Sequence, residues 1–189
     1  FYAECLTETL KLDSKATSIL LEKGLAMRPP FIPYPQKLEF VHKQSFILEG
    51  LGRREALTGT EVTNLYANVL TNRLGVAMTT AFSQVAKSKK VRKYFLRGRD
   101  VSLKHIKVLS SYLEMDSLAF PMAFDHEVTD SNESPFSDKL KMFHFNLMIY
   151  AGVGNYGIAI SESQRTDLVV DYSRFNVEVL KLSEDGANL

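Results

Sequence analysis

The sequence has 189 residues, 45% of them apolar and 24% charged. That is enough for one ordinary domain with its own core, and the balance of a globular rather than a disordered chain. A net charge of +1 gives no overall field for nucleic acid or membrane, and one cysteine, Cys5, excludes an internal disulfide framework and suits a reducing, cytoplasmic setting. No signal peptide is visible and the first residue is Phe1 rather than Met, so the sequence reads as a fragment.

The first predicted helix, α1, covers about Tyr2 to Lys23. Leu6, Leu10, Thr17 and Leu20 form one stripe, with Cys5, Leu12, Ala16 and Ile19 beside it, the spacing of a broad buried face. Gly24 is the expected stop. Arg28-Pro29-Pro30-Phe31-Ile32-Pro33-Tyr34-Pro35 then holds four of the six prolines and is a stiff linker. Leu57-Thr58-Gly59-Thr60-Glu61-Val62 predicts a strong helix start: Thr58 and Glu61 form a capping box, with Leu57 and Val62 as a staple. This α2 should run to about Ala86. Ser88 caps α3, which reaches about Glu114. Ser134-Pro135, with proline in the first helical position, is expected to open α4, which ends near Glu162. The last helix, α5, begins near Arg165 and is expected still to run at Leu189.

Connection lengths predict the topology. Short turns make α2–α3 and α4–α5 antiparallel hairpins. A helix of about 25 residues is roughly 37 Å long, and the stretch from Met115 to Ser134 can cross it end to end. Two hairpins with one long crossover between α3 and α4 make the expected fold all-α, a ferritin-like four-helix bundle.

The two ends of the chain repeat each other. Tyr2 matches Tyr172, and Glu8-Thr9-Leu10-Lys11-Leu12 matches Glu178-Val179-Leu180-Lys181-Leu182, both without a gap. On this reading α1 (residues 1–24) is the last helix of an upstream, mostly missing bundle, 25–57 is the linker, and 58–189 is a second bundle truncated in its last helix.

Three segments carry a family resemblance. They are Gly24-Leu25-Ala26-Met27-Arg28-Pro29-Pro30-Phe31-Ile32-Pro33, Phe82-Ser83-Gln84-Val85-Ala86-Lys87-Ser88 and Glu184-Asp185-Gly186-Ala187-Asn188. With them the chain resembles, over essentially its whole length, an uncharacterised family of tandem ferritin-like proteins of spore-forming bacilli, related to spore coat protein F. The resemblance implies a fold and a spore or forespore setting, and no mechanism.

Candidate chemistry is sparse. Ferritin-like oxidases hold two metals with a Glu from each of two helices and Glu-x-x-His from each of the other two. The only Glu-x-x-His here is Glu39-Phe40-Val41-His42, in the linker. A non-standard site would draw on Asp100, His105, His144 and Glu178, with both histidines expected to point inward. His105 and His144 are, however, staggered by roughly 10 Å along the bundle axis, so buried, hydrogen-bonded histidines are the simpler reading.

Gly152-Val153-Gly154-Asn155-Tyr156-Gly157 matches a dinucleotide fingerprint without the second strand that motif requires. Its glycines are better suited to the close approach of a neighbouring helix. Met142 to Ser161 lacks any charge, but His144, two asparagines and three glycines favour a buried helix over a membrane span. No Ser or Cys sits in a nucleophile motif.

Nine Lys and Arg between Lys87 and Lys107 face only Asp100 in their own stretch, while Glu114 to Asp138 is purely acidic. Self-neutralisation is expected, rather than nucleic acid. Helix α2 has one charge, Arg73, between Val62 and Ala86, and a neutral polar stripe of Asn64, Asn68, Asn72, Gly75 and Thr79. That stripe is expected to pack on the missing first repeat or on another subunit, in a homo-oligomer or tandem array. The sequence thus reads as a non-catalytic ferritin-like structural or interaction protein without cofactor; the alternative is a redox or storage protein with metal in the bundle core.

Overall fold

The computed structural model describes residues 1–26, 29–32 and 56–189. Most of the 25–57 linker, Glu39-Phe40-Val41-His42 included, lies outside the described residues. The rest is all-helical: α1 (Tyr2–Glu22), α2 (Gly59–Val85), α3 (Lys89–Met115), α4 (Asp138–Glu162) and α5 (Thr166–Ala187), with a 3-10 turn at Asp125–Glu127 and no strand among the described residues.

The helix ends follow from local chemistry. Gly24 takes a positive φ of 69° and closes α1, with the Leu25 amide donating to the Leu20 carbonyl at 2.8 Å. At α2 the capping box forms: the Thr58 amide donates to Glu61 Oε2 at 2.8 Å and the Glu61 amide to Thr58 Oγ1 at 3.2 Å. Ser88 caps α3 as expected.

Two ends differ from expectation. Helix α4 is opened by Ser137, whose hydroxyl accepts from the Leu140 amide, and not by Ser134-Pro135. Ser134 instead donates to the Phe136 carbonyl and accepts from Lys141, which holds the chain in a turn for one more step. Helix α5 closes at Ala187 with Asn188 as its cap rather than running on to Leu189.

Helix α2 packs along α3 and α4 along α5, and the two hairpins meet through α2–α4 and α3–α5. Polar contacts at the ends set directions. The Leu57 amide donates to Asp116 at 3.2 Å, joining the start of α2 to the end of α3. Lys141 Nζ donates to the Val85 carbonyl at 3.0 Å, joining the end of α2 to the start of α4. The Ser88 amide donates to Asp138 at 2.8 Å, so α3 and α4 start side by side. Residues 116–137 therefore carry the chain from one end of the helices back to the other.

Leu65, Val69, Leu109, Tyr172 and Phe175 are at the centre of one core cluster, and Phe95, Phe145, Ile149 and Leu182 of a second. Close approach constrains the second: a Cβ at Gly98 would collide with the ring of Phe145, and one at Gly186 with Tyr94. The broad face expected to be buried on α1 is exposed among the described residues, none of its residues being buried. The polar stripe of α2 is also not an outer surface. Asn68, Asn72, Gly75 and Thr79 are buried within the chain itself, and Asn64 donates to Glu162 at 2.8 Å. Inward placement accounts for its lack of charge without a partner at Asn64, Asn68 and Asn72.

Glu61 does more than cap. It is buried, and its second oxygen, Oε1, accepts from the amides of Gln164 and Arg165 at 2.9 and 3.0 Å, in the α4–α5 turn. Removing this carboxylate strands four donors at once, each bond to a charged group contributing about 1.5–3 kcal/mol. Glu61→Ala should lower unfolding free energy by about 3 kcal/mol or more, read from the denaturation midpoint in guanidinium. A loss no larger than that of an ordinary exposed cap, about 1 kcal/mol, would show that the second set of bonds contributes nothing.

Candidate functional site

The polar interior centres on His105, fully buried on α3. Asn72 Nδ2 on α2 donates to the Asn68 carbonyl and to the Tyr156 hydroxyl, both at 2.8 Å. Tyr156, on α4, lies 2.9 Å from His105 Nδ1, and His105 Nε2 lies 3.1 Å from Glu178 Oε2 on α5. Lys104 donates to the other Glu178 oxygen. One assignment satisfies every member: Asn72 donates to Tyr156, Tyr156 O–H donates to Nδ1, and Nε2–H donates to Glu178. The ring also stacks on Phe175, centroids 4.1 Å apart.

Burial pushes the His105 pKa below its ordinary 6.5, against the opposing pull of Glu178, and Lys104 and Arg174 add to the depression. Burial also pushes up the Glu178 carboxyl, but hydrogen bonds from Lys104 and His105 outweigh it and hold the group below its ordinary value. Tyr156 is raised by burial. The arrangement is a neutral imidazole locked between a phenol and a carboxylate.

The four sequence-derived candidates separate. His105 and Glu178 are brought together. Asp100 is turned out and pairs with Arg99 at 2.8 Å. His144 is exposed, edge-on to Phe82 with centroids 5.9 Å apart, contrary to its expected inward position. The buried side of α4 is Lys141, Phe145, Ile149, Tyr156 and Ala159, so Leu140 and Leu147, which flank His144 in its stripe, are half exposed. No group of three or more His, Cys, Asp or Glu side chains able to hold a metal occurs among the described residues.

Asn72 and Tyr156 were not among the candidates. Their signal was present, in the amides of an otherwise apolar α2 and a tyrosine within the glycine-rich run of α4, but only packing joins them. A cavity of about 50 Å³ beside this chain is lined by Asn68, Asn72, Ser102, Phe145 and Tyr156 among others. It is far smaller than the roughly 300 Å³ at which small-molecule sites begin. Gly152 to Gly157 lie wholly inside α4, which removes the strand that a dinucleotide fingerprint needs. No described helix is long and apolar enough to cross a membrane.

Two of the basic residues of α3 are met by α5, and an α4 carboxylate holds the amides of the turn before α3. Arg97 pairs with Asp185 and Lys104 with Glu178. Asp138 accepts from the Lys87 and Ser88 amides. Burial pushes the Asp138 carboxyl up, yet the Ser88 amide, Lys141 and the Lys87 amide together hold it below its ordinary value.

His105 makes a pH prediction. Below pH 6.5 the unfolded chain takes a proton on this ring before the folded protein does, so stability falls as pH drops through that value. The thermal midpoint should fall by about 2–4 °C per pH unit below pH 6.5, and His105→Gln should lose this step while keeping the carboxylate-dependent loss at lower pH. An unchanged profile in the variant would show that His105 is not the group responsible.

Residues 45–189 match the family described as "Protein of unknown function (DUF3231)". Nothing among curated proteins matches the chain. Among solved structures it is similar to the 1.54 Å crystal structure of a "putative spore coat protein" from Bacillus halodurans C-125, with a TM-score of 0.64 at 14% identity, covering 71% of this chain and 87% of that one. At that identity the likeness concerns the fold.

Proposed function

The chain belongs to the DUF3231 family of proteins of unknown function, so its role has to be read from its own side chains, and we propose that it is a non-catalytic structural protein of ferritin-like build that works by packing against other helical units. The single observation that carries this reading is the interior itself. Where a ferritin-like oxidase gathers carboxylates from four helices, this chain places Asn72, Tyr156, His105 and Phe175, and the one carboxylate there, Glu178, has both oxygens engaged.

Two hairpins linked by the 116–137 connection, with α3 and α4 side by side in direction, support the ferritin-like assignment, and the fold likeness to a "putative spore coat protein" supports a spore setting. Residues 58–189 are then one four-helix unit. Helix α1 is the last helix of another, because Tyr2, Cys5, Thr9 and Leu12 stand where Tyr172, Phe175, Val179 and Leu182 pack inside α5. A helix with exposed Leu6, Leu10 and Leu12 gains most of its stability by burying that face. A spore setting is the location that goes with this reading.

The competing reading, a metal-dependent redox or storage protein, has His105 and Glu178 as its two adjacent donors; a structural zinc alone takes four ligands. Protein expressed with added iron and manganese, then stripped of loosely held ions, should carry well under one equivalent of any transition metal by elemental analysis. Stoichiometric iron, manganese or zinc, lost in His105→Gln, would replace the structural reading with the metal one.

A further inference from the structure

Helix α4 is apolar on two sides, and only one of them is used. The unused side runs Leu140, Phe143, Leu147, Tyr150, Gly154 and Ile158, spaced by threes and fours along the whole helix. Its five large side chains are 49%, 60%, 50%, 56% and 54% exposed. From Met142 to Ser161 there is no Asp, Glu, Lys or Arg to solvate it. Gly154 and Gly157 lie on the same side, and a Cβ added at either would meet nothing within 4 Å. Glycine in a helix interior costs about 1 kcal/mol relative to alanine, and no contact among the described residues requires these two.

We propose that this face is the contact between two copies of the chain, with α4 crossing its counterpart antiparallel on a two-fold axis near Tyr150. The side chains are graded along the stripe. Large residues occupy its first half, at Leu140, Phe143 and Leu147, while its second half holds small ones at Gly154, Gly157 and Ser161 and a single large one, Ile158. Antiparallel pairing about Tyr150 and Ala151 sets Leu147 against Gly154, Leu140 against Ser161 and Phe143 against Ile158, so two bulky side chains enter gaps left by small ones and the third packs on an apolar one. An isologous interface demands this self-complementarity, and glycines let the two backbones come close.

The area suffices. Covering the exposed parts of those five large side chains on both copies removes on the order of 1,000 Å² of surface, the scale at which specific interfaces begin. Charge agrees, because a face without a charged residue meets itself without repulsion. Helix α1 fits the stripe less well: its own seam follows the core positions of α5, and Asp13 and Lys15 flank it. This inference rests on the structural reading above, but oligomeric state and metal content are separate measurements, so either can fail alone.

The test uses the full chain in sedimentation equilibrium, with circular dichroism to confirm folding. The wild-type protein should be a dimer at micromolar concentration. Leu147→Glu and Gly154→Leu, both at exposed positions, should each weaken it at least tenfold without loss of helix. Tyr150→Cys in a Cys5→Ser background should give a disulfide-linked dimer on mild oxidation, whereas Val177→Cys, exposed on α5, should not. A monomeric wild-type protein overturns the proposal. So does a dimer that survives both α4 substitutions, or one abolished by deleting residues 1–24 and not by Leu147→Glu, which would assign the contact to α1.

Discussion

Helix α2 is held at both ends by buried charges of opposite sign, and the rest of the packed structure is fastened to those two points. Glu61 is 1% exposed at its first turn, and Lys141, from α4, is 1% exposed against its last carbonyls. Each sign suits its end: a carboxylate at the positive N-terminus, an ammonium at the negative C-terminus. Neither charge could remain buried on that account alone, because desolvation costs several kcal/mol per ion. Both survive because every strong bonding direction is used. Glu61 accepts from Thr58, Gln164 and Arg165, and Lys141 donates to Val85 and Ser134 while pairing with Asp138 at 2.9 Å. One clamp brings in the α4–α5 turn and the other the end of the 116–137 connection, so capping α2 also fixes how the hairpins meet.

Between the clamps the interior is neutral. With the ends of α2 already tied, the middle needs no ion pair, and Asn72, Tyr156 and His105 satisfy one another through amide, phenol and imidazole. Glu178 closes that chain at the surface, where Lys104 is half exposed and water can share the carboxylate's charge. The consequence for chemistry is restrictive. Metal binding at His105 would need a free ring lone pair, and both nitrogens are engaged while the ring is stacked on Phe175.

Much of this was legible because the relevant signals are local. The capping box at Thr58, the serine at 88 and the glycine at 24 act within a few residues, and their helix ends fall as expected. The seam Leu168, Tyr172, Phe175, Val179 and Leu182 was also readable, since α5 carries Asp167, Ser173, Arg174, Lys181 and Glu184 among the exposed Val170, Val177 and Leu180 of its other side, and the contrast identifies the core face. Helix α4 lacked that contrast. With apolar residues on both sides, periodicity identifies two stripes and cannot choose between them, and His144 was assigned to the wrong one. Lys141 was illegible for a related reason: a lysine beside Met142 and Phe143 reads as a solvated residue, and only the carbonyl of Val85, 56 positions away, makes it a core one. The candidate site was half legible. His105 stood out as a histidine expected inside and Glu178 as a possible ligand beside it, whereas Asn72 and Tyr156 come from helices whose approach no sequence interval encodes.

The proposed duplication meets a constraint at Gly186. This glycine lies under Tyr94, whose hydroxyl donates to the Leu182 carbonyl at 3.1 Å; burial pushes that phenol up to about 12, so it remains a donor across the ordinary pH range. The residue of α1 at the matching place in the repeat is Ala16. Its methyl group would occupy the space of the Tyr94 ring, and Cys5 in place of Phe175 would leave His105 without its stacking partner. Helix α1 therefore carries the same stripe as α5 without being able to replace it. In a chain built from two such units that difference keeps each last helix with its own bundle: a swapped α1 would meet a clash at one end and a void at the centre, while α5 in its own groove meets neither.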